Sequence, residues 1–584
     1  TLTGLTVNGN VSVDGGTIKL DGNYPTGTDN VALGDTALDS VEAGGVSNTA
    51  IGDHAGTAIT TGDNNVAVGK GSLQANTTAS KNTAVGAFGL FANLTGIRNT
   101  AVGMSSLEAN TTADNNTAVG FESLKLNTTG NENVSVGTFS SLTNTTGSSN
   151  TAVGKDSLCL NQTGASNTAI GHSALKKNTA SCNTAVGAST LVQNTSGCGN
   201  TAVGRQALDA NTTGDRNVAI GRDALGSNTT ADYNTAVGSE AMELNTTGCC
   251  NVAVGHKALD ANTTADDNTA VGTCSLSANT TGGSNTSLGS FSMKLNTTGA
   301  ANVAVGTQAL NVNTEGASNT AMGYNSLCNN TTASNNTAVG REALTTNTTG
   351  AGNTSMGYRA LRNNTTAGTN TAIGFQSLKN NTTALSNTAI GYNTMPVTTT
   401  GATNIAIGND AMTENTTGCL NTVVGVGALM CNTTGYENIA MGGQAMRFNQ
   451  TGNGNTAIGR RALCTNTTGN ENVAIGATAL DANTIGCRGV AIGYNAMGAN
   501  TDGNFNTAVG RSALATNTTG DNNVSVGYSS LQNSTTSSGN TSVGMESMFL
   551  NTTGTENTAM GLCSLRANTT GNSNTAVGCG SLDA

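Results

Sequence analysis

One box, Asn-Thr-Ala-Val-Gly, returns thirty-three times along this chain with small variations, and its glycine sets the period. The glycines run Gly34, Gly52, Gly69, Gly86, Gly103 and onward to Gly578, at intervals of 17 residues. Two intervals differ: 18 residues from Gly34 to Gly52 and 16 from Gly171 to Gly187. A short period held this long lets each unit touch only its neighbours, so the chain reads as a solenoid or array rather than a globular domain. The several-domain prior that 584 residues would carry gives way to the period.

Numbering the repeat from its Asn puts the box glycine in column five. Column one is Asn in thirty-two copies, the exception being Gly489. Column two is Thr, Val or Ile, column three Ala or Ser (Val423 apart), and column four Val, Ile, Leu or Met. Columns eight and nine are usually Ala or Ser followed by Leu or Met, and columns twelve to fifteen read Asn-Thr-Thr-Gly or Asn-Thr-Thr-Ala. Each repeat therefore offers two short strands, at columns two to four and around columns eight and nine. Every ten-residue window holds a Gly or an Asn-Thr cluster, so no helix fits.

The fold class that follows is all-β, a parallel β-solenoid with one 17-residue repeat per coil. Rungs about 4.8 Å apart give a rod of roughly 160 Å. Columns two and four are expected to face inward against the column-nine Leu, and column three outward, where its small side chains would let another chain pack. The invariant column-five glycine implies a positive φ or the close approach of a neighbouring backbone. Asn in columns one and twelve would stack into amide ladders along the axis. About two bulky side chains per coil supply little apolar burial against the cost of ordering the backbone, which points to oligomerisation.

Three regions are distinguishable. Residues 1–29 alternate apolar and polar residues in part, as in Leu5-Thr-Val-Asn-Gly-Asn-Val-Ser-Val-Asp, and read as a β-rich lead-in module. Residues 30–68 form irregular first coils: one is a residue too long, and in the next Gly56 replaces the column-nine Leu and Ile59 the column-twelve Asn. These are read as a cap, and residues 69–584 as the uniform array. The chain begins at Thr1 and stops at Ala584 before the next Asn-Thr-Thr-Gly falls due, which reads as a fragment of something longer.

The box with its second short segment resembles the head repeats of trimeric autotransporter adhesins. The fuller form, Asn-Thr-Ala-Val-Gly-x-x-Ala-Leu-x-x-Asn-Thr-Thr-Gly behind the lead-in Leu-Thr-Val-Asn-Gly-Asn-Val-Ser-Val-Asp-Gly-Gly-Thr-Ile-Lys-Leu, is closer to long tail-fibre proteins of bacterial viruses. The likeness covers essentially all 584 residues. It implies a left-handed β-roll wound as a parallel homotrimer, a location on a virion tail, and contact with a host-surface glycan or receptor through a tip beyond this sequence. The alternative it leaves open is a microbial cell-surface adhesin or extracellular filament.

Function classes fall away in turn. A net charge of −11 argues against a nucleic-acid partner, and no apolar run approaches a membrane span. Of the three histidines, His172 and His256 share column six but sit five rungs apart, roughly 24 Å, too far for one catalytic or metal centre. Scattered Asp and Glu occupy variable columns as solvated side chains, so neither an enzyme nor a cofactor or metal site is expected. The thirteen cysteines form no ladder of bridges and read as free thiols, Cys182 and Cys198 being the one arguable pair. The recurrent Asn-Thr-Thr sequons would carry glycans only on a glycosylating route, while local backbone bonding explains them without one. Flat threonine arrays can order water, but columns thirteen and fourteen fall in a turn. The one non-random surface patch is column six of five successive rungs, Tyr324, Arg341, Tyr358, Phe375 and Tyr392, about 19 Å long and chemically suited to glycan contact or to self-stacking.

Overall fold

The computed structural model describes residues 28–583, so the lead-in module assigned to residues 1–29 lies, but for Thr28 and Asp29, outside the described residues. The chain divides into two compact units, one ending at Gly283 and the other beginning at Ser284. The first holds β1 (Val31–Leu33) through β15 (Thr269–Val271), the second β16 (Thr286–Leu288) through β33 (Thr575–Val577). Every strand is three residues long and is made of columns two to four, so the 17-residue repeat is one coil of a parallel β-solenoid without helix. Pairing is strictly column on column, as in Thr117↔Val134, Ala118↔Ser135 and Val119↔Val136. At about 4.8 Å per rung the first stack is on the order of 70 Å long and the second about 80 Å.

The expected second strand does not form. Columns six to eleven are a chain of turns in which columns seven and nine take left-handed backbone, Glu122 at φ 52° and Leu124 at φ 52° in one coil. Column seventeen does the same, with Glu132 at φ 60°. Left-handed backbone costs a non-glycine residue roughly 1 kcal/mol, and here the stack holds it in place. Leu124 N–H donates to Ser140 O at 2.9 Å, Leu126 N–H to Leu142 O at 3.1 Å and Thr128 N–H to Thr145 O at 2.9 Å. The turns are thus laddered to the next coil almost as completely as the strands.

Inside and outside of the strand are also reversed from the expectation. Column-three Ala84, Ala101 and Ala118 are completely buried, whereas the column-four side chains are half-exposed or exposed. The physical reason is the bore of the coil: column nine fills it with one large side chain, Leu90, Leu107 or Leu124, and only Ala or Ser fits opposite. Where column three is Ser, its hydroxyl is satisfied internally, Ser135 Oγ donating to Ser140 O at 2.9 Å. The core is therefore column three, column eight, the column-nine Leu or Met, and two columns of Asn.

Those asparagines join the coil to itself and to its neighbour. Asn133 N–H donates to Asn116 Oδ1 at 2.9 Å, and Asn133 Nδ2 to Gly147 O at 2.9 Å. Asn144 Nδ2 donates to Asn127 Oδ1 at 2.9 Å and to the same Gly147 O at 2.9 Å. The column-fifteen carbonyl thus receives amides from both ladders. Column five meets both of its expected constraints: Gly120 has φ 137°, and a Cβ there would lie 2.6 Å from Gly137 O.

The irregular coils keep the same register. Val31 pairs with Thr49 and Leu33 with Ile51 across the long repeat. Val41 and Ile59 stand where column twelve is Asn in most coils, and Ile59 packs into the space that Gly56 leaves, so apolar side chains precede the amide ladder that begins at Asn76. In the 16-residue coil the loss is absorbed in the turn: Asn178 Nδ2 reaches Ala180 O two residues on instead of three. Ile170 still pairs with Val186, and Leu175 and Leu191 remain buried in stack.

Gly489 is the one break in column one. Its backbone N–H donates to Asn472 Oδ1 at 2.8 Å, but it offers no amide to the N–H of Asn506 in the next coil. A Cβ there would lie 3.1 Å from Asn472 Oδ1, a close contact that the side-chain amide must relieve by a few tenths of an ångström, and 3.6 and 3.7 Å from Met497 Cε and Leu480 Cδ1, ordinary contact distances. Gly489→Asn is expected to restore the ladder and stabilise the second unit by about 1 kcal/mol, read as a higher melting temperature; a lower one would mean that column one tolerates this gap for packing reasons.

Candidate functional site

A solenoid offers surfaces rather than clefts, and four column sets carry distinct chemistry. The first is the outer sheet face. Column four is Val, Ile, Leu or Met at every rung and column two Thr, Val or Ile, so this face bears no charge in either unit. Ile220 is 41% exposed in the first unit and Leu288 44% in the second. Column-two threonines such as Thr117, Thr151 and Thr235 project from the same face, half-exposed. The face is thus uncharged throughout, rows of exposed or half-exposed aliphatics alternating with rows that are mostly Thr.

The second is the column-six stripe of the second unit, and its five residues come together. Tyr358 and Phe375 stack with ring centroids 5.3 Å apart, and Phe375 and Tyr392 at 5.1 Å with planes 6° apart. Arg341 lies 5.7 Å from the centre of the Tyr324 ring and 6.0 Å from that of Tyr358. Both faces of Phe375 are thereby covered by its neighbours. Sequence reasoning missed the charged residues beside them: Glu342 accepts from Arg359 Nε at 2.8 Å, with Arg362 Nε at 3.2 Å and Arg341 Nε at 3.5 Å. The hydrogen bond from Arg359 holds the Glu342 carboxyl below its ordinary range. A related Tyr-Arg-Tyr run occurs further along, where Arg511 sits 5.6 Å from Tyr494 and 6.0 Å from Tyr528.

The third is a row of acids in columns seven and ten of the first unit, Asp209, Asp223, Glu240, Glu243 and Asp260. Glu240 is paired, with Lys257 Nζ at 3.2 Å and Arg222 in contact. Burial pushes the Asp209, Glu243 and Asp260 carboxyls up. Among the described residues no three Asp, Glu, His or Cys side chains converge as metal ligands. His54 Nδ1 contacts Asp53 Oδ1 at 2.5 Å, and nothing in the fold brings it to His172 or His256. All thirteen cysteines are free, Cys182 and Cys198 included. Burial first, then Cys250 and Asp266, push the Cys249 thiol up to about 12, so it is a protonated, weak nucleophile at neutral pH.

Asp260 gives a pH test. Its Oδ1 is buried without a hydrogen-bond partner, and its folded form holds a proton to higher pH than the unfolded chain does. Stability from this site is therefore lost as pH rises through that interval. Asp260→Asn is expected to raise the melting temperature at pH 7 and to leave it unchanged near pH 3, where the carboxyl is already neutral; equal effects at both values would refute a charge origin.

The fourth set is the sequon asparagines, and the structure closes them. Asn127 Nδ2 donates to Asn110 Oδ1 at 3.0 Å and to Gly130 O at 2.9 Å, and Asn432 Nδ2 repeats this with Asn415 Oδ1 and Gly435 O. Both amide hydrogens are in use and the residues are fully buried, so an N-linked sugar is incompatible with a closed coil. Exposed sequon residues remain at Asn115, Asn329 and Asn335. After expression in a glycosylating host, glycopeptide mass spectrometry of the protease-resistant protein should find sugar, among the described residues, at those three and at half-exposed sequons such as Asn363, Asn380 and Asn533, and not in the ladders; a glycan on Asn127 or Asn432 would contradict the ladder.

Among the described residues no helix is long and apolar enough to cross a membrane. A scan against protein-family models and a search of the curated proteins each returned no match.

Proposed function

We propose that this chain is the repetitive shaft of an attachment fibre, a parallel homotrimer serving as the spacer of a viral tail fibre, with a microbial cell-surface adhesin as the alternative. The observation that carries the reading is the uncharged outer face of columns two and four, repeated at every rung of both units. With some tens of Å² on each half-exposed aliphatic, the fifteen rungs of the first unit alone offer more than the roughly 800 Å² per partner of a standard interface. Identical copies in register would cover column on column, and the variable, charged columns would remain outside. The trimer would carry three times the chain's charge of −11, which favours solubility. Residues assembled for catalysis would be expected to converge, and the columns instead keep chemistry apart.

Light scattering under native conditions is expected to give three times the 57.8 kDa chain mass. Ile220→Lys with Val254→Lys should lower that mass without changing the far-ultraviolet circular dichroism, because both side chains point outward. A wild-type mass of one chain would overturn the assembly.

The same face supports a second reading. Rows of Thr and Val on a flat sheet, about 4.8 Å apart along the axis, can order water, and the threonines that would do so are those of column two, not those of the turn. That reading requires the face to stay free, so it predicts a monomer with measurable thermal hysteresis, and the mass measurement separates the two.

A further inference from the structure

We propose that the column-six stripe and the arginines beside it form a binding site for an acidic polysaccharide, one bearing carboxylate or sulfate groups along an extended chain. The first ground is segregation of charge. The chain as a whole is at −11, yet between the flanking acids Glu315 and Asp410 it contains Arg341, Arg359, Arg362 and Lys379 against the single acid Glu342, a local net of +3. The second is convergence. Three guanidinium groups face one carboxylate, and each guanidinium carries five donors in a rigid fork, so most of their N–H groups are left over. The Arg341 side chain is 61% exposed. Lys379 follows Arg362 one rung along column ten, and among the described residues no acid pairs with it. Glu342, nearly buried, positions Arg359 and Arg362 rather than neutralising them.

Spacing and ring geometry select the ligand. Arg341, the Arg359–Arg362 pair and Lys379 belong to three successive rungs, so the cations span about 10 Å along the solenoid axis, in line with a polymer of evenly spaced anions. A neutral sugar needs an open aromatic face, and the centre of the stripe offers none: both faces of Phe375 are stacked and Arg359 lies 4.8 Å from the Tyr358 ring centre, which leaves only Tyr324 and Tyr392 at its two ends. Guanidinium forks instead favour charged, bidentate partners. Nucleic acid fits poorly, since a local +3 on an acidic chain would neutralise few phosphates. Columns six, seven and ten are separate from columns two and four, so the site stands whether or not the chain trimerises and whether it belongs to a virus or a cell.

The test is binding of the full chain, by biolayer interferometry at low and physiological salt, to immobilised heparin (sulfated), polygalacturonate (carboxylated), dextran (neutral) and single-stranded DNA. Binding to at least one acidic polysaccharide, weakened by salt, with none to dextran and little to DNA, is expected. Arg341→Gln, Arg362→Gln and Lys379→Gln together should weaken it by about tenfold or more with the melting temperature nearly unchanged. Should that triple variant unfold, Lys379→Gln alone, at a half-exposed position, should still weaken it severalfold, and Arg511→Gln in the other aromatic run should not. No binding to either acidic polysaccharide, equal binding to DNA, or full binding by the folded variants would overturn the proposal.

Discussion

Everything in each unit hangs on a carbonyl that accepts two amides. The column-fifteen C=O is where the column-one and column-twelve asparagines of a coil meet, as at Gly147 with Asn133 and Asn144. Asn suits the task because its side chain both donates twice and accepts, while Asp would bring stacked negative charge and no donor. One substituted coil shows the coupling: Ser534 replaces the column-twelve Asn, column fifteen becomes Ser537, and the two hydroxyls bond each other. Asn540 Nδ2 then finds Ser537 Oγ at 3.0 Å. A buried polar network of this kind is favourable only when complete, which explains why columns one, twelve and fifteen vary little while columns six, ten and sixteen vary freely.

The period, the single rung per repeat and the amide ladders were legible in the residues because each follows from identity at fixed spacing. The placement of the side chains was not. Alternation in a three-residue strand is compatible with either face, and apolar Val at column four suggested the interior. What decides it is the bore of the coil, a property of the turns, and the turns depend on leucines in left-handed backbone. Leu124 at φ 52° is a conformation no propensity assigns to Leu. The signal that existed was subtle: Gly56 takes the leucine position with φ 58°, and Gly71 and Gly427 take column seven at φ 64° and 60°. Glycine recurring in one column of otherwise bulky residues marks left-handed backbone better than composition does.

The stripe was legible as a column of aromatics, but not as a stack whose faces are occupied, nor as part of a charged cluster. Arg359 and Arg362 lie one and four columns from the stripe in sequence terms, and only the folded turn brings column ten of one coil against column seven of the coil before it, as Lys176 with Asp156 at 3.5 Å also shows. The uneven distribution of charge between residues 316 and 409 was readable from the start and would have pointed there.

The interior arrangement also explains why the outer face takes the form it does. Each coil encloses one large aliphatic side chain, with Ala or Ser and amides for the rest, which is thin apolar burial for seventeen ordered residues. Large exposed surface without charge is uncommon on proteins that nothing covers, and the face of columns two and four has no charged residue at any rung of either unit. Charge is admitted in columns six, seven and ten and excluded from two and four. A surface kept free of charge at each rung, on a coil with so little apolar core of its own, fits the proposed self-association in register, since a partner with the same repeat would match it along its length.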